Sequence, residues 1–353
     1  MQEFILNGKF LSDGMQGIVR YSIEIMVALD RIIDNDIIVK LVVPEATINL
    51  PSLKNIIVCK YGKNTGIKWE QTDFRRYLKK YKNGICINLC NVAPFGVRPG
   101  MTVIHDIMYK VNPSHYTTIR NKVSRLWHCL QYSYLTAHER VIGTVSEFSK
   151  MEIENNYPKS RGKVVVIPDA WQHVLNYGEN LNWEEKYSFL RSGSYYFSLA
   201  TLSKNKNGKW IIENAKKNPD AVFAIAGRYY ETEYDQIPDN VHMLGFVSDE
   251  DACALIKHCK AFIFPSLYEG FGIPPLEALA LGAKVISSNT TSLPEVLGES
   301  VHYIDPYDWN VELNSLLDEK VEDKNFVLAK YSWTKSATIL FDEMKKMSAS
   351  NSN

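Results

Sequence analysis

The sequence lacks net charge. Its 353 residues carry 40 lysines and arginines against 40 aspartates and glutamates. A protein that grips nucleic acid needs a basic excess, so nucleic acid is not an expected partner. Long hydrophobic runs are also missing. No stretch of about 18 uncharged apolar residues occurs, so no membrane-spanning helix is expected. The first residues, from Met1 to Gly8, show no basic segment followed by an apolar one, and no secretory signal is expected there. The six cysteines (Cys59, Cys86, Cys90, Cys129, Cys253, Cys259) form no CxxC pair and no zinc-finger spacing. Several sit in apolar runs, as in Ile85-Cys86-Ile87, which fits reduced, buried thiols in the cytoplasm. No Gly-x-Gly-x-x-Gly follows the first apolar run. The string there is Asp13-Gly14-Met15-Gln16-Gly17, so a nicotinamide cofactor is not expected.

What is present is an ordinary globular composition. Hydrophobic residues make up 45% and charged residues 23%, which excludes global disorder. The length exceeds one hydrophobic core and predicts two domains of roughly 150 residues each. The zero charge is itself a sum of unlike halves. Up to residue 170 there are 23 lysines and arginines against 15 acidic residues, and beyond it 17 against 25. Such asymmetry points to a basic face that meets an anionic partner.

Short apolar runs alternate with helical patterns along the chain. In the first half the strand candidates are Phe4–Leu6, Ile37–Val43, Ile56–Cys59, Ile85–Leu89, Thr102–His105, Val141–Val145 and Val164–Ile167. The helix predicted over Gly17–Ile33 has Ile18, Tyr21, Ile25, Leu29 and Ile32 on one stripe, and another is predicted over Arg120–Ala137. Residues 173–193 are polar and irregular and read as a linker. A second series follows, with strands at Tyr195–Ala200, Val222–Ala226, Val241–Leu244, Ala261–Phe264 and Lys284–Ser287. Its helices are expected over Trp210–Lys217, Asp249–His258 and Pro275–Leu281. The expected architecture is α/β, with two Rossmann-like, doubly wound domains over 1–172 and 173–330. A helix over 331–346 and a disordered tail over 347–353 complete it. Ligands are expected in loops at the carboxyl ends of the strands, facing a cleft between the domains.

The strongest motif is Phe264-Pro-Ser-Leu-Tyr-Glu-Gly-Phe-Gly-Ile-Pro-Pro-Leu-Glu-Ala278. It follows an apolar strand and opens a helix. Glu269 and Glu277 stand eight residues apart. Gly270 and Gly272 allow backbone N–H groups to approach a ligand. Pro274 and Pro275 suit a helix start, where missing N–H groups cost little, and Gly282 suits its end. Capping alone explains Glu277 but not the whole assembly. Two carboxylates so placed suit vicinal hydroxyls of sugars.

These residues, with Val241–Glu250 and Ser292-Leu-Pro-Glu295, resemble the C-terminal domain of retaining GT-B glycosyltransferases of family 4. The nearest pattern is the branch that builds bacterial surface polysaccharides by mannosyl or related hexosyl transfer. The resemblance implies the GT-B fold and a nucleotide diphosphate sugar as donor substrate, with no metal or other cofactor. It also implies the roles of individual residues. Glu269 would hold donor-hexose hydroxyls, helped by the backbone of Phe271 and Gly272. Glu277 would bind the ribose, and the turn Gly245-Phe246-Val247 would meet the base. Ser198–Asn207 is similar to a family segment in which Lys206 neutralises the diphosphate, aided by Lys204. Family members often add an upstream arginine, whereas this chain has the uncharged Ala200 and Thr201. Gly17 matches the glycine at which a first-domain loop meets the phosphates, and His105 matches a histidine that reaches the donor sugar. Ser146–Ser149 would line the acceptor region or cap a helix, and Trp333 would serve packing.

Asp34-Asn-Asp36 and Asp249-Glu-Asp251 resemble metal-binding pairs of other transferases but read as turn and cap residues. The implied activity is retaining hexosyl transfer to a glycan or lipid-diphosphate-linked acceptor. The implied location is cytoplasmic, with peripheral membrane contact through basic clusters such as Arg75-Arg76 and Lys79-Lys80. A catalytically inactive nucleotide-sugar-binding subunit and a GT-B epimerase remain as alternatives.

Overall fold

In a computed structural model, residues 2–12, 17–34, 36–199, 203–227 and 237–349 are described. The chain divides into two compact units, Met1–Asp169 with Trp333–Asn353, and Ala170–Ser332.

The first unit is built on seven described parallel strands: β1 (Gln2–Asn7), β2 (Ile37–Val43), β3 (Ile57–Lys60), β4 (Ile85–Asn88), β5 (Met101–Val103), β6 (Val141–Thr144) and β7 (Val164–Val166). Their order is β3-β2-β1-β4-β5-β6-β7. The strands are short runs rich in Val and Ile, buried on both faces at the centre as a parallel sheet requires. The helix Gly17–Ile32 buries Tyr21, Ile25 and Leu29 of its expected stripe. Ser146 caps the helix Glu147–Asn156 by accepting from Ser149 N at 3.0 Å. Capping is therefore the geometric role of that serine pair, and Ser149 Oγ also donates to the His105 carbonyl at 3.1 Å.

The helix Trp333–Ala349 returns to this first unit. Trp333 is buried and meets Tyr21 edge-on at 6.0 Å. Two details differ from the sequence expectation. The helix begins at Trp333 rather than 331, and it continues through Met347 to Ala349. Met347 is buried, so apolar contact extends the helix where the polar tail suggested disorder. Residues 350–353 lie outside those described.

The second unit carries β8 (Tyr195–Leu199), β9 (Val222–Ala226), β10 (Val241–Gly245), β11 (Ala261–Phe264), β12 (Val285–Ser288) and β13 (His302–Ile304) in the order β10-β9-β8-β11-β12-β13, all parallel. Tyr196, Trp210, Phe223, Ile225, Ile263 and Ile286 form the centre of its core. The expected linker is not a free connection. Gln172–Asn176 forms a 3-10 turn and Trp183–Lys186 a helical turn, with Trp183, Tyr187 and Leu190 buried. Asp251 anchors this segment, accepting from Asn180 Nδ2 at 2.6 Å and Tyr187 Oη at 3.2 Å and pairing with Lys186. Asp251 is thus an internal anchor, and Ser248 is the cap of its helix. All six cysteines are free, but only Cys86 and Cys253 are fully buried.

No described helix is long and apolar enough to cross a membrane.

The C-terminal helix tests the packing of the first unit. Leu340 is fully buried. Leu340→Ala should cost about 2–5 kcal/mol and lower the thermal midpoint by several degrees. An unchanged midpoint in differential scanning calorimetry would refute the docking of this helix.

Candidate active site

In the second unit the strand order reverses between β8 and β11. Open parallel sheets bind ligands outside the carboxyl ends at such a switch point. The loops that leave these two strands contain Lys206 and Glu269. Asn205 ties the loops together. Its Nδ2 donates to the Tyr268 carbonyl at 2.8 Å, and its carbonyl accepts from Leu267 N at 2.8 Å. Asn207 extends the tie, donating to the carbonyls of Pro265 at 3.1 Å and Pro306 at 2.8 Å. Asn207 sits at φ +54°, a left-handed conformation that asparagine tolerates better than most residues.

So fixed, Lys206 Nζ lies 2.6 Å from Glu269 Oε1 and 5.2 Å from the centroid of the Phe264 ring. The Glu269 backbone is held as well. Its N–H donates to Thr291 Oγ1 at 3.1 Å, and its carbonyl accepts from Ser292 Oγ at 2.9 Å. Ser292 Oγ also lies 3.2 Å from the Phe271 carbonyl. Gly270 is buried in the same loop. Gly272 adopts φ +99°, and a Cβ there would fall 2.5 Å from Leu293 Cδ2, so a side chain is excluded twice over. The Phe271 ring is buried edge-on against Tyr331 at 5.1 Å, which leaves backbone groups of this loop as its ligand-facing chemistry. Three buried polar atoms at or beyond these strand ends have no hydrogen-bond partner among the described residues: Ser198 Oγ, Asn205 Oδ1 and Ser266 Oγ. Buried polar groups are normally satisfied, so such a group of orphans marks a place where a polar ligand can complete the bonding.

Glu277 stands on the helix Ile273–Leu281. Its Oε1 is 2.6 Å from Nε2 of His173, which is almost wholly buried. Sequence reasoning missed His173. It lies in a segment that read as linker, and nothing in its neighbours signals a partner 104 positions away. β10 ends at Gly245 with φ +67°, and the turn after it buries Val247 and leaves the Phe246 ring 93% exposed. An aromatic face so presented is suited to stacking. Lys204 is exposed at the start of the 3-10 turn Lys204–Lys206.

His105 and Gly17 belong to the first unit. Gly17 is the first residue of its helix. The preceding string Asp13–Gln16 lies outside the described residues, as do Ala200 and Thr201. His105 follows β5 and is buried. Its Nε2 is 2.9 Å from the Leu89 carbonyl, and Tyr21 packs edge-on at 4.6 Å. A carbonyl can only accept, so Nε2 carries the proton and Nδ1 is left as an acceptor. Burial pushes the imidazole pKa down to about 4, against the opposing bond to Leu89.

A fold of two parallel-sheet units with paired charges at a switch point describes the GT-B architecture. A solved sucrose-phosphate synthase from Thermosynechococcus elongatus has the same fold, with a TM-score of 0.70 over 99% of this chain and 100% of that one, at 15% identity. Residues 181–332 match the family Glycosyl transferases group 1. The O-antigen chain mannosyltransferase B of Escherichia coli is 28% identical over 277 residues, which is 74% of this chain and 69% of the relative. The serotype-specific mannosyltransferase WbdA of Escherichia coli is 38% identical over 113 residues, and there the match spans only 14% of the relative's length. The protein is a glycosyltransferase of GT-B architecture, and the part of it that matches the group 1 glycosyl transferase family, residues 181–332, lies within the second unit.

The His105 environment yields a direct test. The folded state binds the imidazole proton less tightly than the unfolded chain does. The stability it contributes is complete above about pH 6.5 and is lost as pH falls towards 4. Nitrogen NMR should therefore show His105 neutral, with the proton on Nε2, from about pH 5.5 to about pH 8, a window in which an ordinary histidine, near 6.5, changes charge. A titration inside that window would contradict the buried geometry.

Proposed function

We propose that the protein moves a hexosyl group, mannose or a related sugar, from a nucleotide diphosphate sugar to a glycan or lipid-linked saccharide. The anomeric configuration is retained, and the product belongs to a surface polysaccharide such as O antigen or capsule. The observation that carries the site assignment is the Lys206–Glu269 contact at 2.6 Å, held at the carboxyl ends of neighbouring strands. The names of the mannosyltransferase relatives support the sugar and the pathway class.

In this reading the bond from the anomeric carbon to the diphosphate breaks first, with oxocarbenium character at that carbon. Lys206, helped by Lys204, compensates the charge that develops on the leaving diphosphate. A fixed cation does here what a metal ion does in other transferases. Glu269 accepts hydrogen bonds from hydroxyls of the hexose and shares Lys206 with the phosphates. Backbone N–H groups near Gly270, Phe271 and Gly272 complete the donor contacts. The acceptor oxygen bonds to the anomeric carbon on the face the diphosphate leaves, and the acceptor proton passes to a diphosphate oxygen. Glu277 takes the ribose hydroxyls with its free oxygen while His173 holds the other. The Phe246 ring and the buried Val247 position the base. For His105 and Gly17 the donor-contacting role rests on the family resemblance. In its neutral tautomer His105 would accept a sugar hydroxyl at Nδ1.

A panel of nucleotide sugars, scored for transfer and for hydrolysis, tests the reading. Glu269→Ala should lower turnover by about 10³-fold and Lys206→Ala by about 10²–10³-fold, with circular dichroism unchanged. A chelator should leave the rate unaltered. Full activity of the Glu269 variant would sink the assignment, and product isomers formed without acceptor would indicate an epimerase. His173 is a positioning residue and should read differently. His173→Ala should raise the donor KM about tenfold with a smaller change in kcat, and His173→Gln, which keeps a donor, should recover most of it. A fall in kcat alone would argue against that role.

A further inference from the structure

The segment Ser292-Leu-Pro-Glu295 belongs to the family resemblance, yet the chemistry assigned so far gives it no part. It follows β12 through Asn289, Thr290 and Thr291. Residues 290–293 lie against the loop that leaves β11, and each of the four holds a separate point on it. Thr290 Oγ1 donates to the Ser266 carbonyl at 3.3 Å. Thr291 Oγ1 accepts from the Glu269 N–H at 3.1 Å. Ser292 Oγ donates to the Glu269 carbonyl at 2.9 Å, with the Phe271 carbonyl 3.2 Å away. Leu293 is fully buried, and its Cδ2 is the atom that excludes a Cβ at Gly272.

Thr291 has φ +57°. Among the described residues, Asn207 and Thr291 alone combine a side chain with a positive φ. Asparagine tolerates that conformation. A β-branched threonine resists it, because its two γ atoms crowd the backbone. Such a conformation persists where the surrounding structure over-determines it, and it concentrates at functional sites. An extended segment sends successive side chains to opposite sides. The left-handed turn at Thr291 brings two adjacent hydroxyls onto one residue instead. The N–H and the carbonyl of Glu269 belong to the two peptide planes that flank its Cα. Holding both planes fixes the direction of the Cα–Cβ bond, from which the carboxylate reaches Lys206.

We infer that Thr291 is a positioning residue for the Glu269 carboxylate, and that its strained backbone is kept for the sake of that hydroxyl. The inference rests on the donor-binding role proposed for Glu269. The competing account is a turn that merely closes the loop after β12, in which case the hydroxyl matters to stability alone.

Three substitutions separate the hydroxyl from the strain. Thr291→Ser keeps the hydroxyl. Thr291→Val keeps the shape and the crowded backbone but takes the acceptor from the Glu269 N–H. Thr291→Gly takes the acceptor and relieves the backbone. Turnover should follow the hydroxyl. Thr291→Ser should stay within about twofold of wild type, while Thr291→Val and Thr291→Gly should each lose about tenfold or more in kcat, with the donor KM changed less than about threefold. That split is the reverse of the one expected for His173. The thermal midpoint should follow the strain, so Thr291→Gly should melt above Thr291→Val although both turn over slowly. Hydrogen exchange of the peptide containing Glu269, read by mass spectrometry, should be faster in the valine and glycine variants and unchanged in the serine variant. Wild-type kcat in Thr291→Val and Thr291→Gly would overturn the inference, and so would a loss that Thr291→Ser shares. Glu269→Ala, assayed alongside, keeps the two readings apart. Full activity of that variant would remove the donor-binding role and this inference with it. Wild-type kcat in Thr291→Val beside an inactive Glu269→Ala would remove this inference alone.

Discussion

Asn205 is the constraint on which the arrangement of Lys206 and Glu269 depends. One side chain and one carbonyl bind the loop after β8 to the loop after β11. Without that tie, Lys206 and Glu269 would sit on independent loops. Each would carry a long, mobile side chain, and an exposed ion pair between such chains contributes little. With the loops joined, the two side chains meet with their backbones already fixed, and most of the ordering cost falls on folding rather than on ligand binding. Pre-organised charge is what electrostatic catalysis requires, because groups that must first be gathered lose interaction energy to their own ordering. The left-handed Asn207 and the close-packed Gly272 serve the same end. Both permit loop geometry that ordinary residues would resist.

In the proposed reading the pair also lets a carboxylate face a diphosphate. Glu269 and an incoming nucleotide would carry charge of the same sign. Lys206, already paired with Glu269, would offset that repulsion. Glu277 meets a related difficulty by a different device. It faces His173, a buried donor 2.6 Å away, so one carboxylate oxygen is occupied and the orientation of the other is fixed. In both cases the acidic residue is set by a partner from a distant stretch of chain. The helix Ile273–Leu281 has no side-chain cap, so capping, which alone explains Glu277 in the sequence, is not what Glu277 does in the fold.

The parallel strands other than β13 were legible because they are short and rich in β-branched residues, and each expected run lies within about two residues of an observed strand; the three-residue β13 was not expected. The Glu-Gly-Phe-Gly loop was legible because its residue types are individually unusual and jointly rarer. His173 was not. A histidine in a polar stretch carries no local mark of burial, and its partner is 104 residues away. The segment 173–193 misled for a similar reason. Its asparagines and glycine suggest a free linker, while Trp183, Tyr187 and Leu190, placed at helical spacing among them, are what bury it. At the other end, Met347 extends a helix beyond the point where the following serines and asparagines suggest a stop.

The helix Ile119–His138 shows a limit of another kind. A period of 3.6 residues announces that a helix has an apolar face, and the usual inference is that this face meets the core. Here the helix has two apolar faces. Tyr132 and Leu135 point inward, and Ile119, Val123, Leu126 and Leu130 point out. Periodicity alone cannot tell which of two such faces is covered, since both repeat at the same interval. Only the packing of Tyr109 against His128 decides it. The charge count behaves likewise. A net value of zero excluded a basic protein as a whole, yet it could not reveal that the cations nearest an uncovered apolar surface stand on a helix without a single carboxylate. Composition fixes how much charge there is, and the fold alone fixes what that charge lies beside.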